Sequence, residues 1–317
     1  MLKTEFRQTR SPEYWLVLGT LCLISVFYYG IRAAAVLGLA AVTAVLTDFI
    51  CLFLRDRAYK AADLSNVANA LILALMFPAS IPYSIVILST VFAVAVGTHV
   101  FGTRRDMLFP PAAAGYLFAL LSWKEEVLSF PKTGAEIRLF GNDALARFPS
   151  MSADFNAEGV LTTDAYDILI GTICGPMGTG CLFLIVLGLL VLGFRKSISW
   201  SGVIGFFSGI VLLCLFTRTS PYAALSTNMV LFAALFLAAD TNIAPRGFFP
   251  PWFGGIFTGA LTQYLVYAYD IEYAPVVAVM LSCPMWRGFD ALGQKWASRP
   301  APIDEQAAQP ETEAADE

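Results

Sequence analysis

Charged residues are scarce, at 14% of 317 residues against 57% apolar. A soluble domain carries roughly 25% charge, so this chain lacks the polar surface needed to face water. Histidine is almost missing, with His99 alone. The six cysteines (Cys22, Cys51, Cys174, Cys181, Cys214, Cys283) sit in or beside apolar stretches and never in CxxC spacing. These shortages argue against a closed zinc site and a disulfide framework. Net charge is −4, yet residues 301–317 hold six acids and no base, so the rest of the chain sums to +2. Nothing in that balance makes a basic surface for nucleic acid.

What the chain has in abundance is apolar length, with a mean hydropathy of +0.67. Runs of about 17–25 apolar residues cross a bilayer as helices. Ten candidates follow: 14–29, 31–54, 65–77, 81–101, 108–123, 168–194, 198–216, 226–239, 252–269 and 273–286. Lys3, Arg7 and Arg10 ahead of the first run, with Ala33-Ala34-Ala35 after it, fit a cleaved signal peptide. Arg32 and the second run directly behind it favour a retained helix. Ten spans sort the 20 basic residues 14 to 6 between the two sides, and four of the six lie in the single long loop. Long loops count least in the positive-inside rule. The expectation is a multi-pass protein of the cell (plasma) membrane, with the lipid bilayer as its solvent and both termini cytoplasmic.

Two candidates are too short. Residues 65–77 and 226–239 would each rise only about 20 Å against a hydrocarbon core of about 30 Å. Pro78 and Pro82 stop the first, Asp240 and Pro245 the second. Half-helices in matching places are the mark of inverted repeats with a site at mid-membrane. Leu64-Ser65 and Leu225-Ser226 lie 161 residues apart, and Phe109-Pro110-Pro111-Ala112-Ala113 and Tyr273-Ala274-Pro275-Val276-Val277 lie 164 apart. The fold class expected is an all-α integral membrane protein of about ten helices in two inverted five-helix repeats, each with a short broken helix. Its divisions are a cytoplasmic N-terminus (1–13), a first repeat (14–123), an extracytoplasmic loop (124–167), a second repeat (168–296) and a disordered acidic tail (297–317).

Several motifs in this order resemble one family: the D subunit of the Rnf electron-transport complex and its relative, the B subunit of the sodium-pumping NADH:quinone reductase. Arg55-Asp56-Arg57 followed by Asp63-Leu64-Ser65 is similar to the family's basic turn and Asp-x-Ser helix start. Phe109-Pro110-Pro111-Ala112-Ala113-Ala114-Gly115 is similar to its Phe-Asn-Pro-Ala-x-x-Gly, and Arg195-Lys196-Ser197-Ile198-Ser199-Trp200 to its Arg-Lys-x-Ile-Ser-Trp turn. Ala238-Ala239-Asp240-Thr241 resembles the Ala-Thr-Asp-Pro that ends its eighth span. The resemblance covers about residues 10–295. It implies one component of a membrane redox complex, with other membrane subunits as partners, in which ferredoxin or NADH oxidation drives Na⁺ or H⁺ movement. The competing class is an inverted-repeat channel or secondary transporter for a small solute.

The resemblance also implies FMN joined by a phosphoester to the last threonine of a Ser/Thr-Gly-Ala-Thr signal. Here the matching run is Thr133-Gly134-Ala135-Glu136. A carboxylate cannot take that linkage, so covalent flavin is not expected. The Gly-x-x-Gly-Glu-Thr-Ser signal is altered as well, to Gly175-Pro176-Met177-Gly178-Thr179-Gly180-Cys181. The flavin expectation reduces to a non-covalent FMN or riboflavin, held among Ser65, Asn69, Gly178, Thr179, Ser226, Asn228 and Asp240, or an ion in the same place.

Asp48 falls inside a span, where a charge costs at least about 2.5–3.5 kcal/mol, so a functional role is the default. It and Asp240 are the candidate ion-path acids. The alternatives are an interfacial pair with Arg55 or Arg57 for Asp48, and a turn backed by Arg246 for Asp240, where a carboxylate opposes the helix dipole. Ser65, Asn66, Asn69, Ser226, Thr227 and Asn228 stand where they would cap free N–H groups; a helix start also attracts an anion or a flavin edge. His99 reads as an interface anchor, and Gly171, Gly175, Gly178 and Gly180 as close helix packing, with backbone lining a flavin or ion path as the alternative.

Overall fold

The computed structural model describes residues 12–55, 64–103, 106–140, 145–159, 161, 163–240 and 249–297. Both termini, Arg57 and Arg246 lie outside the described residues, as does the acidic tail beyond Ala297. The described chain is mostly helical. The helix α1 (Pro12–Phe53) covers the first two expected spans and changes character at Gly30. There φ is 65° and ψ −153°, a backbone region open essentially to glycine alone. The spans 14–29 and 31–54 are thus two helices meeting at one residue.

The third span is α2 (Ser65–Leu75), whose 11 residues rise about 16 Å. The fourth runs from α3 (Tyr83–Phe92) into a π-helical stretch, Ala93–Val100. A short antiparallel pair, β1 (Gly102–Thr103) and β2 (Asp106–Met107), turns the chain into α4 (Pro111–Ser122). The long connection that follows is partly ordered. It holds α5 (Lys124–Val127), a second strand pair of β3 (Phe130–Pro131) with β4 (Arg147–Phe148), and α6 (Met151–Glu158).

The sixth expected span, 168–194, is not one helix. It splits into α7 (Ala165–Ile170) and α8 (Leu182–Phe194), with an irregular segment between. Gly171 takes a φ of 101°, and a Cβ there would meet the Gly180 backbone at 2.7 Å. These glycines close a loop rather than pack helices, which corrects the helix-packing expectation. Then come α9 (Trp200–Thr217), α10 (Pro221–Ser226) and α11 (Val230–Ala233), the last continued by a π-helical turn, Ala234–Ala238. Asn228 and Met229, both at positive φ, break the chain between α10 and α11. The last two helices are α12 (Phe249–Tyr269) and α13 (Ala274–Ala297), the latter running eleven residues past the expected end at Trp286.

The surface is inverted relative to a soluble protein. Phe27, Leu121, Phe194 and Phe216 stand exposed, while Ser25, Asp48, Asn66, Ser89, Thr90 and His99 are buried. Such apolar exposure is stable only against lipid or a partner. Three helical stretches, Pro12–Phe53, Tyr83–Val100 and Trp200–Thr217, are long and apolar enough to cross a membrane.

Contacts sort the connections into two groups. At one end the long loop reaches the Gly30 junction (Arg32 Nη1 donates to the Leu139 carbonyl), the start of α3 (Tyr83 Oη to the Leu139 carbonyl) and the break before α11 (Asn228 N to Ser152 Oγ). Its Ser150 also bonds Glu272 between α12 and α13. A second group pairs Glu13 with Arg195, Arg55 with the carbonyl of His99, and Ser199 N with the carbonyl of Ala239.

Candidate ion-path site

Asp48 is 2% exposed and His99 7%. The π-helical stretch brings His99 inward, so that its Nε2 lies 2.9 Å from Asp48 Oδ1. Asn66, in the first turn of α2, donates from Nδ2 to the same oxygen at 2.8 Å. Thr98 donates to Asn66 Oδ1 at 3.0 Å, and Arg55 Nη2 donates to the His99 carbonyl at 2.5 Å. One oxygen of a buried carboxylate therefore meets nitrogens from α2 and the π-helical stretch, and Thr98 and Arg55 hold those two partners in turn. That arrangement makes His99 a buried partner of Asp48 and not an interface anchor. It also spends the Asn66 side chain on Asp48 and Thr98, leaving the N-cap of α2 to Leu64, which makes no side-chain cap. Ser65 is buried beside Asn66, and Asn69 is half-buried one turn further on.

Gly178 and Thr179 lie at the other end of α2. The N–H of Gly178 donates to the Leu75 carbonyl at 2.7 Å, and that of Met177 to the Phe77 carbonyl at 3.1 Å. The loop thereby satisfies carbonyls that the end of a short helix leaves open. A Cβ on Gly178 would come within 2.6 Å of the Leu75 Cβ, so only glycine lets the backbones meet. Ser25 of α1 anchors the same loop by donating to the Met177 carbonyl.

Ser226 and Thr227 do not cap α11. Their hydroxyls donate back to carbonyls of α10, those of Tyr222 and Ala223. Asn228 exchanges two amide hydrogen bonds with Asn156 of the long loop. The α11 N-cap is Met229, without a side-chain cap. Asp240 is buried past the second π-helical turn, within electrostatic reach of Tyr14 on α1 and Cys283 on α13. Glu136 is exposed on the long loop, where Thr133 beside it donates to the Ile173 carbonyl.

The candidate residues thus fall in separate places. Thr179 and Ser226 share one cleft, with Asn228 at its edge through the bond to Ser152, while Asp48 meets the first turn of α2 through Asn66, and Asp240 lies past the second π-helical turn. A family model described as the NQR2, RnfD, RnfE family matches residues 7–291. The chain belongs to this family.

Among relatives of this NQR2/RnfD/RnfE chain is the D subunit of the ion-translocating oxidoreductase complex of Actinobacillus succinogenes. It is 26% identical over 86% of this chain and 93% of the relative. The D subunit of the proton-translocating ferredoxin:NAD(+) oxidoreductase complex of Clostridium ljungdahlii is 25% identical over 79% of each. The D subunit of the ion-translocating oxidoreductase complex of Pseudomonas paraeruginosa is 28% identical over 73% of this chain and 75% of its own.

Flavin can be tested against this family member's own cavities. The cleft shared by Thr179 and Ser226 encloses about 30 Å³, room for a water or two and far less than an isoalloxazine ring needs. A wider groove of about 340 Å³, between Tyr28, Tyr166 and Phe183, contains none of the candidate residues. The cleft as it stands does not fit the cofactor. Residue reading missed two buried groups. Arg32 donates to the Ile81 carbonyl at 2.7 Å and to that of Leu139, with its guanidinium 3.7 Å over the Tyr83 ring. The Asp48–His99 pairing had a faint signal in the sequence: the two residues fall near the same expected side of the second and fourth spans.

Proposed function

We propose that this chain is a membrane subunit of an ion-translocating electron-transport complex, working with other membrane subunits and without covalent flavin. The observation that carries the reading is the family match across residues 7–291, together with D-type relatives aligned over most of their length. The chain crosses the membrane ten times, in two inverted halves (14–123 and 168–296) joined by the outer loop 124–167. The short α2 and the α10–α11 break support that division, because irregular backbone at membrane depth is tolerated where it lines an internal path.

Asp48 and Asp240 are the ion-path acids of this reading. Each is buried in a bundle whose outer face is apolar, a placement that stability alone does not require. In vesicles carrying the assembled complex, Asp48→Asn and Asp240→Asn should leave assembly intact and slow ion-coupled electron transfer severalfold. Parental rates in both variants would overturn the assignment. Loss of solute uptake with unchanged electron transfer would instead favour an inverted-repeat transporter.

A further inference from the structure

The network around Asp48 contains a group that the ion-path reading does not use. His99 is more than nine-tenths buried, contacts Asp48 at 2.9 Å and is placed there by a π-helical stretch. π-Helical turns are uncommon and frequently mark functional positions, because the extra residue per turn redirects a side chain. Here the redirected residues are Thr98 and His99, and both enter the Asp48 network. Gly97 makes the fit possible, since a Cβ on it would lie 2.9 Å from the Pro111 backbone of α4.

We propose that Asp48 and His99 form a proton-loading pair in the ion path, with His99 as the group that takes up and releases the proton. The proposal rests on the reading of Asp48 as a path residue. With Nε2 held on Asp48, the proton enters at Nδ1, which has no hydrogen-bond partner among the described residues. Loading makes an imidazolium beside a carboxylate and takes the pair from a net charge of −1 to zero. Release returns the proton to water and restores −1. No electron moves and no covalent bond to carbon changes.

The chemistry of this network favours a proton over sodium. Asp48 Oδ1 receives N–H groups from both Asn66 and His99, and the Asn66 carbonyl oxygen is taken by the Thr98 hydroxyl. A sodium ion needs oxygen acceptors facing it, and these oxygens face donors. Among the described residues, other titratable or charged groups near the pair are Cys51 of α1 and Arg55 just past its end; α2 and the π-helical stretch contribute Ser65, Asn66 and Thr98, which do not titrate.

The chain has a single histidine, so ¹⁵N-histidine NMR of the full chain in nanodiscs reads this ring alone. The ring should convert between neutral and imidazolium forms as pH is varied. In Asp48→Asn the Nε2 resonance of the ring should shift, because the carboxylate 2.9 Å from it is removed. A ring that never charges, or one indifferent to Asp48→Asn, overturns the pair. So does a resonance change that follows sodium and ignores pH. The second arm uses vesicles with the assembled complex. His99→Gln keeps an amide donor for Asp48, and it should slow ion-coupled electron transfer as Asp48→Asn does while flattening its pH profile. An unchanged profile overturns the proton-loading role. If the parent complex couples no ion at all, the ion-path reading fails, and the NMR arm then reports on the pair independently.

Discussion

Glu272 sits in the turn between α12 and α13, half-buried, where Ser150 of the long loop donates to its carboxylate. Burial raises its pKa above the ordinary 4.5; the Ser150 hydrogen bond and Lys124 oppose that rise, and Asp154 adds to it. A carboxyl whose folded value is raised binds its proton more tightly folded than unfolded. Its contribution to stability is therefore full below about 4.5 and declines as pH climbs through the raised folded value. Glu272→Gln keeps an acceptor for Ser150 and has nothing to ionise. Its unfolding temperature in detergent should vary less with pH over that window than the parent's; an equal slope would show that Glu272 is not the titrating group. Glu136 makes a second residue-scale prediction. The denatured chain should show no in-gel flavin fluorescence after co-expression with a flavin transferase, and a fluorescent band would place the acceptor elsewhere. The substitution at 136 was plain in the sequence because one side chain decides the linkage chemistry. The partners of Asp48 were not, because capping and pairing call for the same asparagines and only the fold chooses between them.

At the scale of elements, α9 and α12 are the most closely packed helices. A Cβ on Gly259 would lie 2.0 Å from the Phe206 carbonyl oxygen, and one on Gly255 2.4 Å from that of Gly202. Gly205 and Gly209 answer from α9, at 2.3 Å and 2.2 Å from the Trp252 and Ile256 carbonyl oxygens. Two small-x-x-x-small stripes thus let the backbones touch. Gly259→Ala must push the helices apart, since the neighbour is backbone and cannot rotate away, and should cost about 1–3 kcal/mol. Gly19 of α1 has nothing within 4 Å of its Cβ position, so Gly19→Ala should be neutral or slightly stabilising. Equal unfolding of the two variants in a detergent titration would contradict this interface. Elements were legible in the sequence where apolar length set them, as in 198–216 against α9 and 252–269 against α12. They were misread where a break carries no apolar penalty. The glycines and Pro176 inside 168–194 looked like part of a long span because Ile, Met and Cys surround them, and the break at Asn228 and Met229 has no glycine to announce it.

The whole molecule was most legible in its polarity: little charge and long apolar runs. Those features follow from the bilayer as solvent, which penalises charge in every span alike. The topology they imply can be put to one decisive test. The long loop is joined by hydrogen bonds to the Gly30 junction, the start of α3, the break before α11 and the turn at Glu272. Glu13, Arg55, Arg195 and Ser199 belong to the second group of contacts. If the chain alternates sides at each of ten spans, every connection in the first group is external and every one in the second is cytoplasmic. A reporter active only outside should therefore signal when fused within residues 145–154 and stay silent when fused after residue 317. A reporter active only inside should give the reverse. A fusion in the short turn at 195–199 adds a check independent of the tail, since Arg195 and Lys196 make it one of the strongest cytoplasmic signals in the chain. It should match the fusion after 317 and oppose the loop. The same signal from the loop and from either of the other two sites would mean that the span count is wrong by one crossing, and with it the inverted relation between the halves.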